Sequence, residues 1–306
     1  MSVVIPTIGR PSLVAAVRSA LAQSWEDIEV IVSIDGDHTL VDGLELPSDR
    51  RLRVIASGER VGCQAARAAG VAASSGAFVS LLDDDDVWLP NKVKTQMRLA
   101  LAHLGSGARH VLVGCRMAWV RPGGHLVRVS PRRLPALGEP LAEYLFVRHQ
   151  VRPDQTGIGA PMLLFDRGLA ERVPLGESRA IHNDWNWVLE VDRSGEVTID
   201  FCPEVLARCT QNRRGSLSSS ASWSASLEWF TSQTKHLTPR QFADAVLCHS
   251  APLAIKQNDW EAVGRLFVVA LRRGRPGFPA LAFIGLLCVR ALLRMPISGV
   301  ARRSET

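Results

Sequence analysis

Leu81 to Pro90, LLDDDDVWLP, joins the end of an apolar run to the start of a helix through four acidic residues. Before it, Ala77 to Leu82 is a short apolar run that reads as a buried strand. After it, Pro90 to Leu104 sets Val93, Met97, Leu101 and Leu104 on one face of a helix. Between the two stand four adjacent carboxylates, Asp83, Asp84, Asp85 and Asp86. Like charges at this spacing repel, so a folded chain either splays them into water or neutralises them with a cation. A hard divalent ion, Mg²⁺ or Mn²⁺, takes carboxylate and phosphate oxygens, and the end of a buried strand is then a place to hold a nucleotide diphosphate. The alternative is an acidic turn capping the next helix, with Pro90 in its first turn.

Working towards the N-terminus, short apolar runs alternate with helical patterns. Ser2 to Ile5 reads as a strand, and Pro11 opens a helix with Leu13, Ala16, Val17, Ala20 and Leu21 on one face. Ile28 to Ile34 is a second strand closed by Asp35-Gly36-Asp37, and Leu52 to Ala56 a third. Cys63 to Ser74 is an Ala-rich helix ended by Ser75-Gly76. This alternation predicts βαβ units and an α/β domain with a mainly parallel sheet flanked by helices. Ligands of such sheets lie at the carboxyl ends of the strands, so Thr7, Asp35 and Asp83 to Asp86 are expected to share one crevice.

From His110 to about Thr210, strand-like HVLVG, MAWV, PMLLF and EVTIDF surround a helix near Asp184 to Val191, and this half is expected to complete the sheet and the second wall of the cleft. After Gln211, RRGSLSSSASWSAS reads as a Ser-rich linker, and the rest as helical. The expected division is a domain over 1–212, split at about 105 into donor and acceptor halves, a linker over 213–226 and a basic helical appendage over 227–306.

Six cysteines, at 63, 115, 202, 209, 248 and 288, lack CxxC or regular spacing, which argues against a zinc site or disulfide framework and fits a reducing cytoplasm. VVIP follows Met1 and Ser2 directly, with no basic n-region or apolar signal core, so no leader is expected. The net charge of +6 is concentrated in Ala262 to Thr306, where eight Arg face one acidic residue. The apolar run from Phe278 to Val289 in that tail is too short to span a bilayer, for which about 20 residues are needed. It is either a core-packed helix or an interfacial one, a peripheral contact at the inner face of the membrane. No nucleic-acid motif accompanies the positive charge.

Taken in order, VVIPTIGRP, EVIVSIDGD and RVGCQAARAAGVAASSGAFVSLLDDDDVWLPNKVKTQ resemble the opening strand, acidic turn and Asp-rich series of family 2 glycosyltransferases over roughly Ser2 to Thr210. The run from Gly62 through Arg67, Gly70 and Gly76 to Asp83, Trp88, Pro90 and Lys92 is the specific part. The resemblance implies a GT-A type, Rossmann-like fold and metal-assisted, inverting transfer from a nucleotide-diphosphate sugar, with UDP preferred over GDP or dTDP. It implies that Pro6, Thr7 and Arg10 flank the nucleotide, that Asp35 accepts a hydrogen bond from the base, and that Arg67 serves base or phosphate. The DxD motif maps onto Asp83-Asp84-Asp85, with Asp85 the metal ligand, Asp83 or Asp84 nearer the ribose, and Asp86 left as helix cap.

IHNDWNWVLE, Ile181 to Glu190, resembles the family's acidic motif before a Trp-containing helix and makes Asp184 the implied catalytic base. Asp184 could instead cap that helix. Asn183 departs from the family in replacing an acidic neighbour, and His182 reads as a local hydrogen-bonding or acceptor-site residue. Trp185 and Trp187 cannot both face one side, so one is expected at the sugar site and the other in the core. Arg213 and Arg214 are either lid residues or linker charges. Bacterial polysaccharide, glycolipid and natural-product acceptors all stay open. The competing reading from another class is a catalytically silent partner that binds nucleotide or glycan, with Asn183 its one encouragement.

Overall fold

The computed structural model describes residues 1–121, 124–152, 156–176, 181–210 and 221–293. The chain divides into two compact units, one of Met1–Leu145 with Asp154–Ser220 and one of Phe146–Pro153 with Ala221–Thr306. Elements of the first follow the alternation expected. They are β1 (Ser2–Thr7), α1 (Leu13–Leu21), β2 (Glu29–Ile34), β3 (Leu52–Ala56), α2 (Cys63–Ala72), β4 (Phe78–Leu81), β5 (Asp86–Trp88) and α3 (Lys92–Gly105). Then come β6 (His110–Val120), β7 (Leu126–Ser130), α4 (Leu141–Phe146), β8 (Leu164–Asp166), α5 (Arg167–Arg172), α6 (Asn183–Arg193) and β9 (Val197–Thr210).

Among the described residues, nine strands join one sheet in the order β3-β2-β1-β4-β8-β6-β9-β5, with β7 paired to β6. β1 is parallel to β2 and β4, β2 to β3, and β6 to β9. β8 runs antiparallel between β4 and β6, and β5 antiparallel on β9. Val3, Val4 and Ile5 of β1 and Val30, Ile31 and Val32 of β2 are fully buried, as strands covered on both faces must be. Helix α2 comes close to the sheet because Gly70 has no side chain, and a Cβ there would sit 2.3 Å from Val4 Cγ1. The fold is therefore a mixed, largely parallel sheet flanked by helices, as the alternation predicted.

Three local readings are corrected. Asp86 is not a helix cap: it opens β5, where it faces Cys209 of β9, and the residue before α3 is Asn91. HVLVG and MAWV are one strand, β6, with register shifts around Arg116, because β9 runs alongside both. The expected linker overlaps a helix, α7 (Trp223–Ser232), whose N-terminus is capped by Ser222 Oγ accepting from the Ala225 N–H at 3.1 Å. Residues 211–220, with Arg213 and Arg214, lie outside the described residues.

The second unit is helical: α7, α8 (Pro239–Ala245), a π-helical turn at Val246–Ser250, α9 (Ala251–Lys256), α10 (Trp260–Arg273) and α11 (Phe278–Leu292). Phe146 and Phe230 meet edge to face at 5.3 Å in its core. Asp244, fully buried, accepts from Arg240 Nε and from the backbone N–H groups of Arg148 and Gly277, tying α8 to the start of α11. Among the described residues no helix is long and apolar enough to cross a membrane.

Candidate active site at the carboxyl ends of the strands

The exit of β1 and the Asp-rich turn after β4 are bound to each other through Asp84. Its carboxylate accepts from Thr7 Oγ1 at 2.6 Å and from Arg10 Nη1 at 2.7 Å, and only 2% of the residue is exposed. Thr7 Oγ1 in turn accepts from the Gly9 N–H at 3.0 Å, so the loop leaving β1 is held on both sides. Parallel pairing of β1 with β4 brings these strand ends together, as expected for Thr7 and the Asp run. Pro6 is buried in β1 opposite Ser33 of β2.

Asp35 follows β2 and its Oδ1 accepts from the backbone N–H groups of Val61 (2.7 Å) and Gly62 (2.9 Å). It is neither a simple turn former nor open along that oxygen: it fixes the segment entering α2, whose first residues then face the site. Gly62, with φ of 91°, makes the left-handed bend there.

From α2, Arg67 reaches across to two carboxylates. Its Nη2 donates to Asp83 Oδ1 at 2.5 Å and its Nη1 to Asp184 Oδ1 at 2.7 Å, with Gln64 Oε1 also accepting at 3.1 Å. Arg67 is 5% exposed, and Gln64 is held by donating to the Leu175 carbonyl. Asp184 is the second residue of α6, not its cap. Its Oδ2 accepts from the Ala160 N–H at 2.9 Å, so this carboxylate is aimed from two directions. His182 precedes the helix at φ 62°, an uncommon left-handed setting for a residue with a side chain, and its ring stacks on Trp185 with centroids 4.6 Å apart. Trp185 stays partly exposed and donates to the Ile158 carbonyl. Trp187 is buried, packs on Phe165 and donates to the Val173 carbonyl. The two Trp therefore divide as their spacing required.

Charge is crowded here. Burial pushes the Asp83 carboxyl above its ordinary value, Arg67 pulls it down, and Asp184 and Asp85 push it up again. The Asp83 side chain is 30% exposed, so water offsets part of the burial. Four carboxylates, Asp83, Asp84, Asp85 and Asp184, face two guanidiniums, Arg10 and Arg67, which leaves two negative charges. Hard oxygen donors with that surplus fit a divalent cation shared with a diphosphate. Among the described residues no three metal-ligating side chains converge into a ready-made cage, so a metal here would need oxygens from its ligand as well.

Sequence reasoning did not single out the Ala160 N–H, Gln64 or Cys63. The Cys63 thiol opens α2 beside Arg67 and the aspartates, and burial pushes it up to about 11. A backbone donor carries no residue signature, and Cys63 and Gln64 read only as ordinary first-turn helix residues.

Residues 2–152 match the family model described as glycosyl transferase family 2. The chain belongs to that family. Among relatives, the amylovoran biosynthesis glycosyltransferase AmsB of Erwinia amylovora is 24% identical over 78% of this chain and 79% of its own length. A UDP-Glc:alpha-D-GlcNAc-diphosphoundecaprenol beta-1,3-glucosyltransferase, WfgD of Escherichia coli, is 30% identical over 33% of this chain and 41% of its own. A Campylobacter jejuni GalNAc(5)-diNAcBac-PP-undecaprenol beta-1,3-glucosyltransferase is 32% identical over 38% of each chain. The match thus spans well under half of the latter two.

The crystal structure of residues 1–349 of S. aureus TarS superposes with a TM-score of 0.53 at 15% identity, covering 88% of this chain and 80% of that one. Its complex with UDP-GlcNAc gives 0.50 at 16%, covering 88% and 71%. At that identity the likeness carries the fold, which is GT-A, with a helical C-terminal region alongside. The family 2 enzyme therefore carries its Asp-rich turn, Arg67 and Asp184 in one cluster at the strand ends.

Proposed function

We propose that this glycosyltransferase moves a sugar, with inversion, from a UDP-sugar to a hydroxyl of a lipid-linked or polysaccharide acceptor, with Asp184 as general base. One observation carries the reading: Asp184 is oriented by Arg67 and the Ala160 N–H within the same cluster as the Asp-rich turn. In the proposed step the acceptor O–H gives its proton to Asp184 while the oxygen bonds to the anomeric carbon, and the bond to the diphosphate breaks with its electron pair leaving on the nucleotide. Arg67 orients the base and neutralises Asp83 beside it. Thr7 and Arg10 hold the β1 loop against Asp84 on the nucleotide side, Pro6 shapes that loop, and Asp35 sets the entry to α2, where a base would rest. Asp85 would hold a divalent Mn²⁺ or Mg²⁺, with Asp83 or Asp84 nearer the ribose, and the chemistry of that ion is to neutralise the charge growing on the departing diphosphate. UDP as nucleotide is supported by the donor named for WfgD, and a membrane-held acceptor by the undecaprenol acceptors named for two relatives. A cytoplasmic setting, at the inner face of the membrane that carries such an acceptor, belongs to the same proposal.

The test is calorimetric titration of UDP, GDP and dTDP with and without Mn²⁺, followed by transfer assays. Metal-dependent binding of UDP, lost in Asp85→Asn, is expected. Asp184→Asn is expected to keep UDP binding and lose about 10²- to 10⁴-fold in transfer rate, the usual worth of a general base. Absence of nucleotide binding by folded protein would reject the donor site, and near wild-type transfer by Asp184→Asn would reject the base.

A further inference from the structure

Helix α11 has the composition of a core helix and the exposure of a surface one. Its sequence, FPALAFIGLLCVRAL, holds a single charge, Arg290, yet of its fifteen residues only Ala280 and Ile284 are buried. A helix apolar on every side ordinarily lies inside a protein. Here Phe278 and Leu293 are 80% exposed and Leu286, Val289 and Leu292 more than half exposed. Leu286, Val289 and Leu293 recur at i, i+3 and i+7, and so form one stripe opposite the buried pair. Of the two readings left open for this run, core-packed or interfacial, its exposure disfavours the first: its anchored side is held by Ala280, Ile284, the Gly277 N–H on Asp244 and Arg148 stacked over Phe283 at 3.5 Å.

Arginines surround the stripe. Arg272 and Arg273 end α10, Arg275 lies in the short connection, and Arg290 sits in the last turn of α11. All four are exposed and, among the described residues, none pairs with a carboxylate. From Trp260 to Leu293 the only carboxylate side chain is Glu261, already paired with Arg265. Helix α10 adds exposed Phe267, Val268 and Leu271 just before its arginines.

We propose that α11 and its flanking arginines dock the chain on an anionic phospholipid surface, the helix lying in the headgroup region with its apolar stripe towards the acyl chains. Fifteen residues make a helix of roughly 22 Å, shorter than the roughly 30 Å hydrocarbon core, so it lies in the interface rather than crossing it. An apolar face with a basic border is the composition that binds such a surface. A second copy is a poor occupant, because two-fold pairing of this face would set the same arginines against each other. The proposal deepens the membrane-held acceptor of the preceding reading by naming the surface that reaches the membrane, but it rests on the helix alone and does not require the transfer chemistry.

The experiment is flotation of the full chain with vesicles of neutral phosphatidylcholine and with vesicles enriched in phosphatidylglycerol, for wild type, Leu286→Glu/Val289→Glu and Arg272→Gln/Arg273→Gln. Wild type is expected to float with the anionic vesicles, to release as salt rises, and to stay behind with neutral ones. The double Glu variant, altered at exposed positions, should lose flotation. The Arg variant should bind about 25-fold more weakly, at about fivefold for each arginine near an anionic surface. If the Glu variant fails to fold, the Arg variant decides alone. No flotation of wild type, binding indifferent to the Arg variant, or a wild-type dimer that the Glu variant dissolves without any vesicle binding each overturn the proposal. Nucleotide titration of the same variants separates the two readings, since loss of flotation with UDP binding retained fails the membrane site only in the variant and leaves the donor site untouched.

Discussion

Lys92→Met tests whether a buried cation sets the stability of the sheet-containing unit. Lys92 is fully buried at the first position of α3, and among the described residues no carboxylate pairs with it. Its Nζ donates to Ser80 Oγ at 2.8 Å and Gln96 Oε1 at 2.6 Å and lies 4.0 Å from the centre of the Trp88 ring. Burial holds its pKa down at about 8, against an ordinary 10.5. The unfolded chain therefore binds this proton more tightly than the folded one, and stability rises as pH climbs through the window between these values. The gap, at about 1.4 kcal/mol for each pH unit, is on the order of 3 kcal/mol of stability withheld at neutral pH and restored once the amine is neutral in both states. Met removes the charge but orphans Gln96 Oε1, a loss of about 1–3 kcal/mol, so near pH 7.5 the variant should lie within about 2 kcal/mol of wild type. Near pH 9.5 wild type should have gained about 2 kcal/mol relative to the variant. Urea unfolding at both pH values measures the difference, and the buried thiols, common to both proteins, cancel. A wild-type minus variant difference that stays flat with pH would refute the account of a charged, unpaired lysine in the core. The point bears on the site, because Gln96 also donates to the Met162 carbonyl and Trp88 to the Pro161 carbonyl, and these fix the turn whose Ala160 N–H holds Asp184.

Arg67→Met should destabilise by about 3 kcal/mol, since it leaves two partly buried carboxylates without their cation. In an Asp184→Asn background the same change should cost at least about 1 kcal/mol less. Urea unfolding of the four proteins gives the coupling, and additivity within about 0.5 kcal/mol would mean that the pair does not interact. Glu29, which burial alone would push up, is held down at about 2 by hydrogen bonds from Ser2 and Ser75. Its folded pKa lies below its ordinary 4.5, so its contribution is present above that value and disappears as pH falls towards 2. Thermal midpoints recorded down an acid series should drop faster for wild type than for Glu29→Gln, and parallel curves would remove Glu29 from acid unfolding.

The parallel half of the sheet was legible because its signal is local. Strands buried on both faces appear as unbroken Val and Ile runs, helices that cover them show a one-sided apolar period, and the order of the runs then implies which ends meet. This is why Thr7 and the Asp run were expected together and are found bonded through Asp84. The same local reasoning misjudged Asp86, because β5 is only three residues long and exists by pairing with β9, which follows it by more than a hundred residues. It could not choose between a core-packed and a surface α11, because an apolar composition implies burial only if other elements cover it.

By itself, then, the sequence determined the α/β class, the place of the Asp-rich turn at a strand end, the family, and the need for a partner to four adjacent carboxylates. Packing decided which partners Asp83 and Asp84 have. Asp84 turns to Thr7 and Arg10, while Asp83 shares Arg67 with Asp184, 117 residues beyond that arginine. The physical reason is range: periodicity and turn chemistry act over a few residues, whereas the charge balance of a carboxylate is set by whatever cation and N–H donors the packed sheet brings within about 3 Å of it.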